Sequence, residues 1–314
     1  MNPELIELKP NLNLSQPSIS GELVSVEVDY DDNKTLTIDT YGVNGRSGGS
    51  RRTILAFQPW SDYSGREFMQ RRLDAVAEAT NAIVVSVDNL GVGTNTSSMP
   101  RDIKQQVRSG DFSELCELTW DAVLQNPLVD VHDTDELILG YHSLGATIAA
   151  EMTAYAPEDV EINRLMLLES VTLREQSFGS LMLKYGRKGA DQIGQYMGEN
   201  PDWMPQPTPV GEFMQGLVRQ AAGHYTYPRG MARRPLFEAL EEAREREVLT
   251  RDSLIHLSNG SRSELSPTSD NDAVAEKVRK KLGLAVCRTI LYGETHPIND
   301  SIPRAVAYLE SQLA

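Results

Sequence analysis

Cysteine is scarce in this chain, since only Cys116 and Cys287 occur among its 314 residues. Two cysteines this far apart in the sequence predict neither a disulfide framework nor a zinc site. Free cysteines are commonly buried as small apolar side chains. We therefore expect two reduced thiols in the core or at its edge, Cys116 in a helix and Cys287 in a strand.

Long apolar runs are also missing. No stretch approaches the ~20 apolar residues that a membrane-spanning helix needs. The first residues, MNPELIELKPNLNLSQP, lack the basic start and the apolar run of a secretory signal. We therefore expect no membrane span and a cytoplasmic protein.

Positive charge is in short supply, with 30 Lys and Arg against 45 Asp and Glu and a net charge of −15. A chain this acidic has no general basic surface for nucleic acid, so a nucleic-acid partner is not expected. Its length and its 40% hydrophobic content are enough for one large α/β domain with an insertion, or for two modest domains. The sequence leaves the oligomeric state unknown.

Short apolar segments alternate with segments of helical spacing through most of the chain. Residues 1–20 are polar and predict an irregular N-terminal arm, and GELVSVEVDY with TLTIDTYG predicts a β-hairpin. This alternation predicts an α/β fold with a mainly parallel sheet flanked by helices. The further predicted strands are TILAF, NAIVVSVD, DELILG, INRLMLLES, SLIHLSNG and AVCRTILYG.

Residues 171–250 interrupt the alternation with helical segments, aromatic residues and the proline-rich stretch NPDWMPQPTPVG. We interpret them as a helical cap inserted between two parts of the core, 21–170 and 251–314. A segment that leaves and re-enters the sheet at its carboxyl edge lies over a site at that edge. Cap side chains such as Trp203 and Met214 are then expected to shape an apolar pocket.

Residues 136–146 read ELILGYHSLGA, which predicts a strand, a sharp turn at Ser143 and a helix. A serine on such a turn stands clear of the sheet, and the backbone N–H of the next residue, Leu144, faces the same space. That N–H and the positive end of the helix dipole can stabilise an oxyanion. The simpler alternative is that Ser143 only caps the helix.

The serine turn resembles the nucleophile elbow of the α/β-hydrolase family, and the resemblance extends over most of the chain. FQPWSDYSGREF stands where that family has its oxyanion loop, and SVDNLGVGTNT resembles its Asp-x-x-Gly-x-Gly segment. SNGSRSELSP looks like the acid-bearing turn, and LYGETHPIND looks like the histidine-bearing loop. The resemblance implies an α/β-hydrolase-like fold with a helical cap, and chemistry that needs no metal and no organic cofactor.

The same resemblance implies a catalytic triad of Ser143 as nucleophile, His296 as base and Glu264 as acid, in the chain order Ser, acid, His. The oxyanion donors are expected to be the backbone N–H groups of Leu144 and Trp60. Three other carboxylates stay open as the acid. They are Glu169, Asp270 and Asp272.

The other four histidines have weaker claims on the role of base. His142 precedes the nucleophile and is expected to point away from it. His256 falls inside a predicted strand, His132 falls in a polar loop, and His224 falls in the insertion.

Two features depart from the family pattern. Tyr141 stands where a small residue is usual, and Gln58-Pro59 stands where His-Gly is usual. Pro59 has no N–H, so the second oxyanion donor is expected from Trp60 or Ser61. The sequence predicts a serine hydrolase that acts on a small-molecule ester or thioester through an acyl-enzyme. The alternative is a weakly active or inactive binding protein on the same fold.

Overall fold

The structure is a computed structural model, and it describes residues 3–17, 21–28, 34–43, 52–60, 62–63, 65–92, 98–204 and 221–313. Within these ranges the chain forms nine strands and nine α-helices. The strands are β1 (Glu4–Ile6), β2 (Glu22–Val28), β3 (Lys34–Tyr41), β4 (Arg52–Phe57), β5 (Ile83–Val87), β6 (Glu136–His142), β7 (Arg164–Leu168), β8 (Leu254–Gly260) and β9 (Ala285–Leu291). The helices are α1 (Glu67–Thr80), α2 (Arg101–Ser109), α3 (Ser113–Leu124), α4 (Leu144–Ala154), α5 (Phe178–Met197), α6 (Ala221–Met231), α7 (Leu236–Glu245), α8 (Thr268–Lys277) and α9 (Ile302–Leu313).

All nine strands form one sheet in the order β1-β9-β8-β7-β6-β4-β5-β3-β2. The strands from β1 to β5 in that order are parallel, and β3 and β2 continue the sheet as an antiparallel hairpin. The predicted hairpin and the mainly parallel sheet are thus both confirmed. Parallel strands end at one edge, so the residues that follow β4, β6, β7, β8 and β9 meet there.

Apolar side chains fill both faces of this sheet, which is why its central strands are continuous apolar segments. One core cluster joins the sheet to α3, α4 and α7, and a second joins it to α1 and α9. Cys116 is buried in α3 and Cys287 is half-buried in β9, both as free thiols. Both cysteines are therefore placed as the sequence predicted.

The predicted N-terminal arm contains a strand that the sequence analysis missed. Glu4–Ile6 pairs in parallel with β9, with Glu4 opposite Thr289, and forms the edge of the sheet. The backbone N–H of Tyr292 extends this pairing by donating to the carbonyl of Ile6 at 2.8 Å. Three residues without apolar alternation are too short a pattern to predict a strand. This strand forms because β9 lies beside it.

The segment between β7 and β8, which was predicted to be a helical insertion, contains α5, α6 and α7 among its described residues. Helix α7, however, packs against α4 and lies in the layer of helices that covers the sheet. Its buried residues, which include Phe237 and Leu240, belong to the main core cluster. The predicted end of the cap at residue 250 is therefore too late for α7.

Candidate active site

The turn at Ser143 has a backbone that L-amino acids rarely adopt. β6 ends at His142 and α4 begins at Leu144, and Ser143 between them has φ 59° and ψ −121°. Tyr141 has φ 137°, so two of three consecutive residues are in the strained region of positive φ. The surrounding sheet holds this conformation, since the N–H of Ser143 donates to the carbonyl of Leu168 at 2.9 Å.

Two glycines let this turn fit against its neighbours. A Cβ on Gly145 would lie 1.9 Å from the carbonyl oxygen of Phe57, and one on Gly140 would lie 2.2 Å from that of Met166. Neither position has room for a side chain. The first turn of α4 is therefore in close contact with the end of β4, where the loop of residues 57–60 begins.

Three side chains form a hydrogen-bonded chain at the carboxyl edge of the sheet. The Oγ atom of Ser143 lies 2.9 Å from Nε2 of His296, and Nδ1 of His296 lies 2.9 Å from Oε2 of Glu169. All three residues are buried, and Glu169 is 0% exposed. An imidazole that donates from Nδ1 to the carboxylate directs the lone pair of Nε2 at the serine hydroxyl.

The carboxylate against His296 is Glu169, and the expectation that Glu264 would occupy this place is wrong. Glu264 is exposed in the turn after β8. That turn contributes a hydrogen-bond donor instead, because Ser263 donates to Oε2 of Glu169 at 2.5 Å. Oε1 of Glu169 accepts from the N–H of Gly260 at 2.5 Å, so the carboxylate is held by backbone and side chains together.

The path of the chain after β9 explains this difference. To reach Ser143 at the end of β6, that loop must cross the ends of β8 and β7, which are spaced about 4.8 Å apart. Gly260 at the end of β8 allows the crossing, because a Cβ there would lie 2.3 Å from the carbonyl oxygen of Glu294. Once across β8, His296 meets the carboxylate that follows β7.

The two aspartates that were open as the acid have other partners. Asp270 forms an ion pair with Arg174 at 3.2 Å, and Asp272 forms one with Arg288 at 2.9 Å. Arg288 is buried, so Asp272 is needed to balance its charge. Neither aspartate is the carboxylate that bonds to His296.

His142 was expected to point away from the nucleophile, and the structure shows that its imidazole contacts His296. Its Nε2–H donates to the backbone carbonyl of His296 at 2.7 Å, and the two imidazole rings lie 5.0 Å apart. Burial, and then the neighbouring His296, lower the pKa of His142 well below its usual value. The ring is therefore neutral and is a fixed donor. A histidine beside the nucleophile was the available signal, but its direction could not be read from the sequence.

Tyr141, the first departure from the family pattern, has a specific place in the structure. Its ring lies under the buried guanidinium of Arg72, 5.3 Å from ring centre to Cζ. Asn299, with its amide oxygen turned toward Arg72, donates to the Tyr141 hydroxyl at 2.9 Å. The tyrosine thus connects the strand that ends at the nucleophile to the loop that carries His296.

The second departure lies in the loop after β4. Gln58 is buried and donates through its amide to Ser86 Oγ, and its backbone carbonyl accepts from the Asn89 amide at 3.2 Å. Trp60 follows and is partly exposed, while Ser61 lies outside the described residues. Leu144 is the first residue of α4, so its N–H has no acceptor within the helix.

The other histidines lie elsewhere. His256 is in β8, as predicted, and its Nδ1 bonds to Gln312 at 3.0 Å. His132 is exposed, with Nε2 4.0 Å from a carboxylate oxygen of Asp159. The side chain of His224 lies outside the part that the structure describes.

Of the two side chains named for the apolar pocket, the structure describes one, Trp203. Trp203 donates from its indole N–H to the carbonyl of Leu14 at 3.5 Å and lies beside Arg71 of α1. It therefore attaches the insertion to the N-terminal segment and α1. Met214 lies outside the described residues.

The described ranges lack two kinds of feature. They contain no group of three His, Cys, Asp or Glu side chains that could hold a metal ion. They also contain no helix that is both long and apolar enough to cross a bilayer.

The chain is similar to known proteins in structure but not in sequence. No family model and no curated protein sequence matches the chain. Carboxyl esterase 2 of the fungus Tuber melanosporum aligns with a TM-score of 0.55 at 12% identity, over 100% of this chain and 90% of that one. A thermostable esterase of Pseudomonas putida aligns at 0.52 and 16%, over 98% and 83%. The N-formylmaleamic acid deformylase of Pseudomonas putida aligns at 0.51 and 14%, over 92% and 100%.

Proposed function

Starting from the α/β-hydrolase fold of this chain, we propose that the protein is a serine hydrolase acting on a carboxylic ester or thioester. The observation that carries the proposal is the buried chain of hydrogen bonds from Ser143 through His296 to Glu169. A serine that only capped α4 would need neither the imidazole nor the carboxylate. The esterase neighbours share the fold and supply the choice of ester chemistry.

Each of the three side chains has one role in the proposed reaction. Ser143 Oγ attacks the acyl carbon while its proton passes to Nε2 of His296. The carbonyl oxygen becomes an oxyanion, for which the N–H groups of Leu144 and Trp60 are the proposed donors. The protonated imidazole is stabilised by Glu169 and gives its proton to the leaving alcohol or thiol.

A second half-reaction restores the enzyme. Water attacks the acyl-Ser143 ester, and its proton passes to Nε2 of His296. Collapse of the second tetrahedral intermediate releases the carboxylic acid and returns the proton to Ser143 Oγ. The strained backbone at Ser143 holds the hydroxyl at one fixed position through both steps.

A fluorophosphonate probe tests the proposal directly, because it reacts with a serine that a neighbouring base activates. We expect the native protein to be labelled at Ser143 and to hydrolyse p-nitrophenyl esters, with an acyl chain-length preference that defines the substrate class. The control is Ser263→Ala, which removes a buried serine that bonds to Glu169 but is not the nucleophile. It should still be labelled at Ser143.

Absence of both labelling and turnover in a folded native protein would contradict the proposal. The alternative of an inactive binding protein on this fold would then be favoured. The departures from the family pattern at Tyr141 and at Gln58-Pro59 would then be the first explanation to test for the lack of activity.

A further inference from the structure

The end of helix α5 is joined to the loop that carries His296 by a network of polar contacts. The loop consists of residues 294–301 and leads into α9, which begins at Ile302. The contacts from the insertion come from Tyr196 in α5 and from Glu199 and Asn200 just after it. Most of these contacts lie between the inserted segment and the core, and one ion pair, Arg304 with Glu294, lies within the core. They concern the loop that carries the catalytic base of the proposed reaction.

Tyr196 makes the innermost contacts of this network. Its hydroxyl accepts from the backbone N–H of Thr295 at 2.9 Å and from Thr295 Oγ1 at 3.0 Å, and it donates to Oε2 of Glu294 at 2.9 Å. A tyrosine hydroxyl has one proton and two acceptor sites, so all its hydrogen-bonding capacity is used. Tyr196 and Thr295 are both buried, where an unpaired N–H is costly.

Arg304 contacts both Glu294 and Tyr196. Arg304 pairs with Glu294 and forms a bidentate pair with Glu199, at 2.6 and 2.7 Å. Its guanidinium also lies 5.5 Å from the centre of the Tyr196 ring. The phenol of Tyr196, whose pKa burial raises to about 12, is protonated at neutral pH and donates to Glu294.

Asn200 fixes the far end of the loop. Its amide donates to the carbonyl of Asp300 at 2.9 Å, and its side-chain oxygen accepts from the N–H of Ile302 at 2.9 Å. The insertion thus holds the loop on both sides of His296, at Thr295 and at Asp300. His142 holds the carbonyl of His296 itself from the side of the sheet.

We propose that Tyr196 is a positioning residue for His296, through which the inserted helix α5 sets the geometry of the catalytic base. This inference rests on the proposed function, since it assumes that His296 acts on Ser143. The inserted segment then has a role that the sequence analysis did not assign to it. It supplies hydrogen bonds that the histidine loop needs in order to face the nucleophile.

The test is the substitution Tyr196→Phe, which keeps the ring and its burial and removes only the hydroxyl. The matched control is Tyr227→Phe in α6, another fully buried tyrosine of the insertion, whose hydroxyl donates to the carbonyl of Leu90 at 3.2 Å. We expect Tyr196→Phe to lower kcat and the rate of fluorophosphonate labelling about tenfold to a hundredfold, with KM within about twofold, as a small misplacement of a catalytic group does. Tyr227→Phe should change neither rate by more than about twofold.

An NMR measurement separates failure of this inference from failure of the proposed function, because it needs no turnover. Nitrogen shifts of the His296 imidazole, assigned with His296→Gln, report its tautomer and its bond to Glu169. We expect one Nδ1–H tautomer in the native protein and in Tyr227→Phe, and a mixture in Tyr196→Phe. Unchanged shifts in Tyr196→Phe, or equal losses of kcat in the two variants, would overturn the positioning role, whatever the native protein hydrolyses.

Discussion

The ends of β7 and β8 are adjacent, and each is followed by a glutamate, yet the two glutamates are in opposite surroundings. Glu169 after β7 is buried, has φ 57° and accepts hydrogen bonds from Gly260, Ser263 and His296. Glu264 after β8 is exposed in its turn. The sequence motif resembles an acid-bearing turn at Glu264, but the carboxylate that bonds to His296 is that of Glu169.

The comparison shows that the path of the loop carrying His296 decides which carboxylate bonds to the imidazole. Chain order places candidates at strand ends, and several strand ends meet at one edge of the sheet. The loop after β9 crosses β8 over Gly260, and the imidazole then meets the next strand end. The identity of the acid therefore depends on Gly260, which lets the loop cross β8, as well as on the positions of the carboxylates.

The largest expected effect comes from the nucleophile that His296 activates. Ser143→Ala should lower ester turnover by about 10⁴-fold or more, since loss of a triad nucleophile leaves only binding and oxyanion stabilisation. Turnover of p-nitrophenyl esters and the melting temperature should be measured together. Substantial turnover by a folded Ser143→Ala variant would mean that another group is the nucleophile.

Glutamine substitutions at the two glutamates test the comparison itself. Glu169→Gln should lower kcat by about 10²- to 10⁴-fold, because it no longer fixes the tautomer and the charge of His296. Glu264→Gln is the matched control and should stay within about twofold of native kcat, as surface substitutions away from a site do. Equal losses in the two variants, or a larger loss at Glu264, would return the acid to the turn after β8.

His142 tests whether the imidazole is held from the sheet as well as by Glu169. His142→Phe keeps a ring of similar size and removes the donor to the carbonyl of His296. We expect a fall in kcat of about tenfold, with little change in KM. The pH dependence of kcat should keep its shape, because the lowered pKa of His142 keeps that ring neutral. A shifted pH profile would indicate that His142 itself titrates during turnover.

Gly260→Ala tests the crossing point that separates the two strand ends. The added methyl group meets the carbonyl oxygen of Glu294, so we expect a loss of about 1–3 kcal/mol in the free energy of unfolding. Gly194→Ala in α5 is the control, since a Cβ there has no neighbour within 4 Å and alanine favours the helix. Denaturant unfolding of the two variants should move in opposite directions. A native-like Gly260→Ala protein would mean that the loop does not need this glycine.

Asp39 is a second buried carboxylate that can be compared with Glu169. Its described side-chain hydrogen-bond partner is the Tyr41 hydroxyl and not a histidine. Burial raises its pKa from 3.8 to about 6, although the Tyr41 hydroxyl donates to it. The folded protein therefore binds a proton that the unfolded chain releases near pH 4, and the free energy of unfolding falls as the pH rises from about 4 to 6.

Asp39→Asn removes this pH dependence. The free energy of unfolding of the variant, relative to that of the native protein, should therefore rise between about pH 4 and pH 6 by at most about 3 kcal/mol. Urea unfolding at pH 4.5 and pH 7 measures the change, with Glu264→Gln as the exposed control. A difference between Asp39→Asn and native that is the same at both pH values would contradict the raised pKa.

Much of the fold could be predicted because its signals are local. The apolar strands, the hairpin and the turn at Ser143 are each encoded within about ten residues, and the order of strands and helices then implies a parallel sheet. The proximity of Ser143 and His296 follows, since both come after strands of that sheet. The resemblance to a family strengthened these predictions and also carried the error at Glu264.

The rest depended on contacts between distant parts of the chain. The choice between Glu169 and Glu264 depended on the crossing at Gly260, and the direction of His142 depended on the position of the His296 carbonyl. The strand Glu4–Ile6 exists only because β9 lies beside it. No pattern within any of these segments encodes its partner.

The pairing of β1 with β9 also bears on the order in which the molecule folds. During synthesis the residues of β1 leave the ribosome early, yet the strand that they pair with is the last of the nine. Pairing between such distant segments is slow, because a long loop must close before any contact forms. The sheet can assemble from β2 through β8 beforehand, and β9 can then join β8 and offer its free edge. We expect β1 to dock last, so that its amide hydrogens become protected from exchange later than those of the central strands.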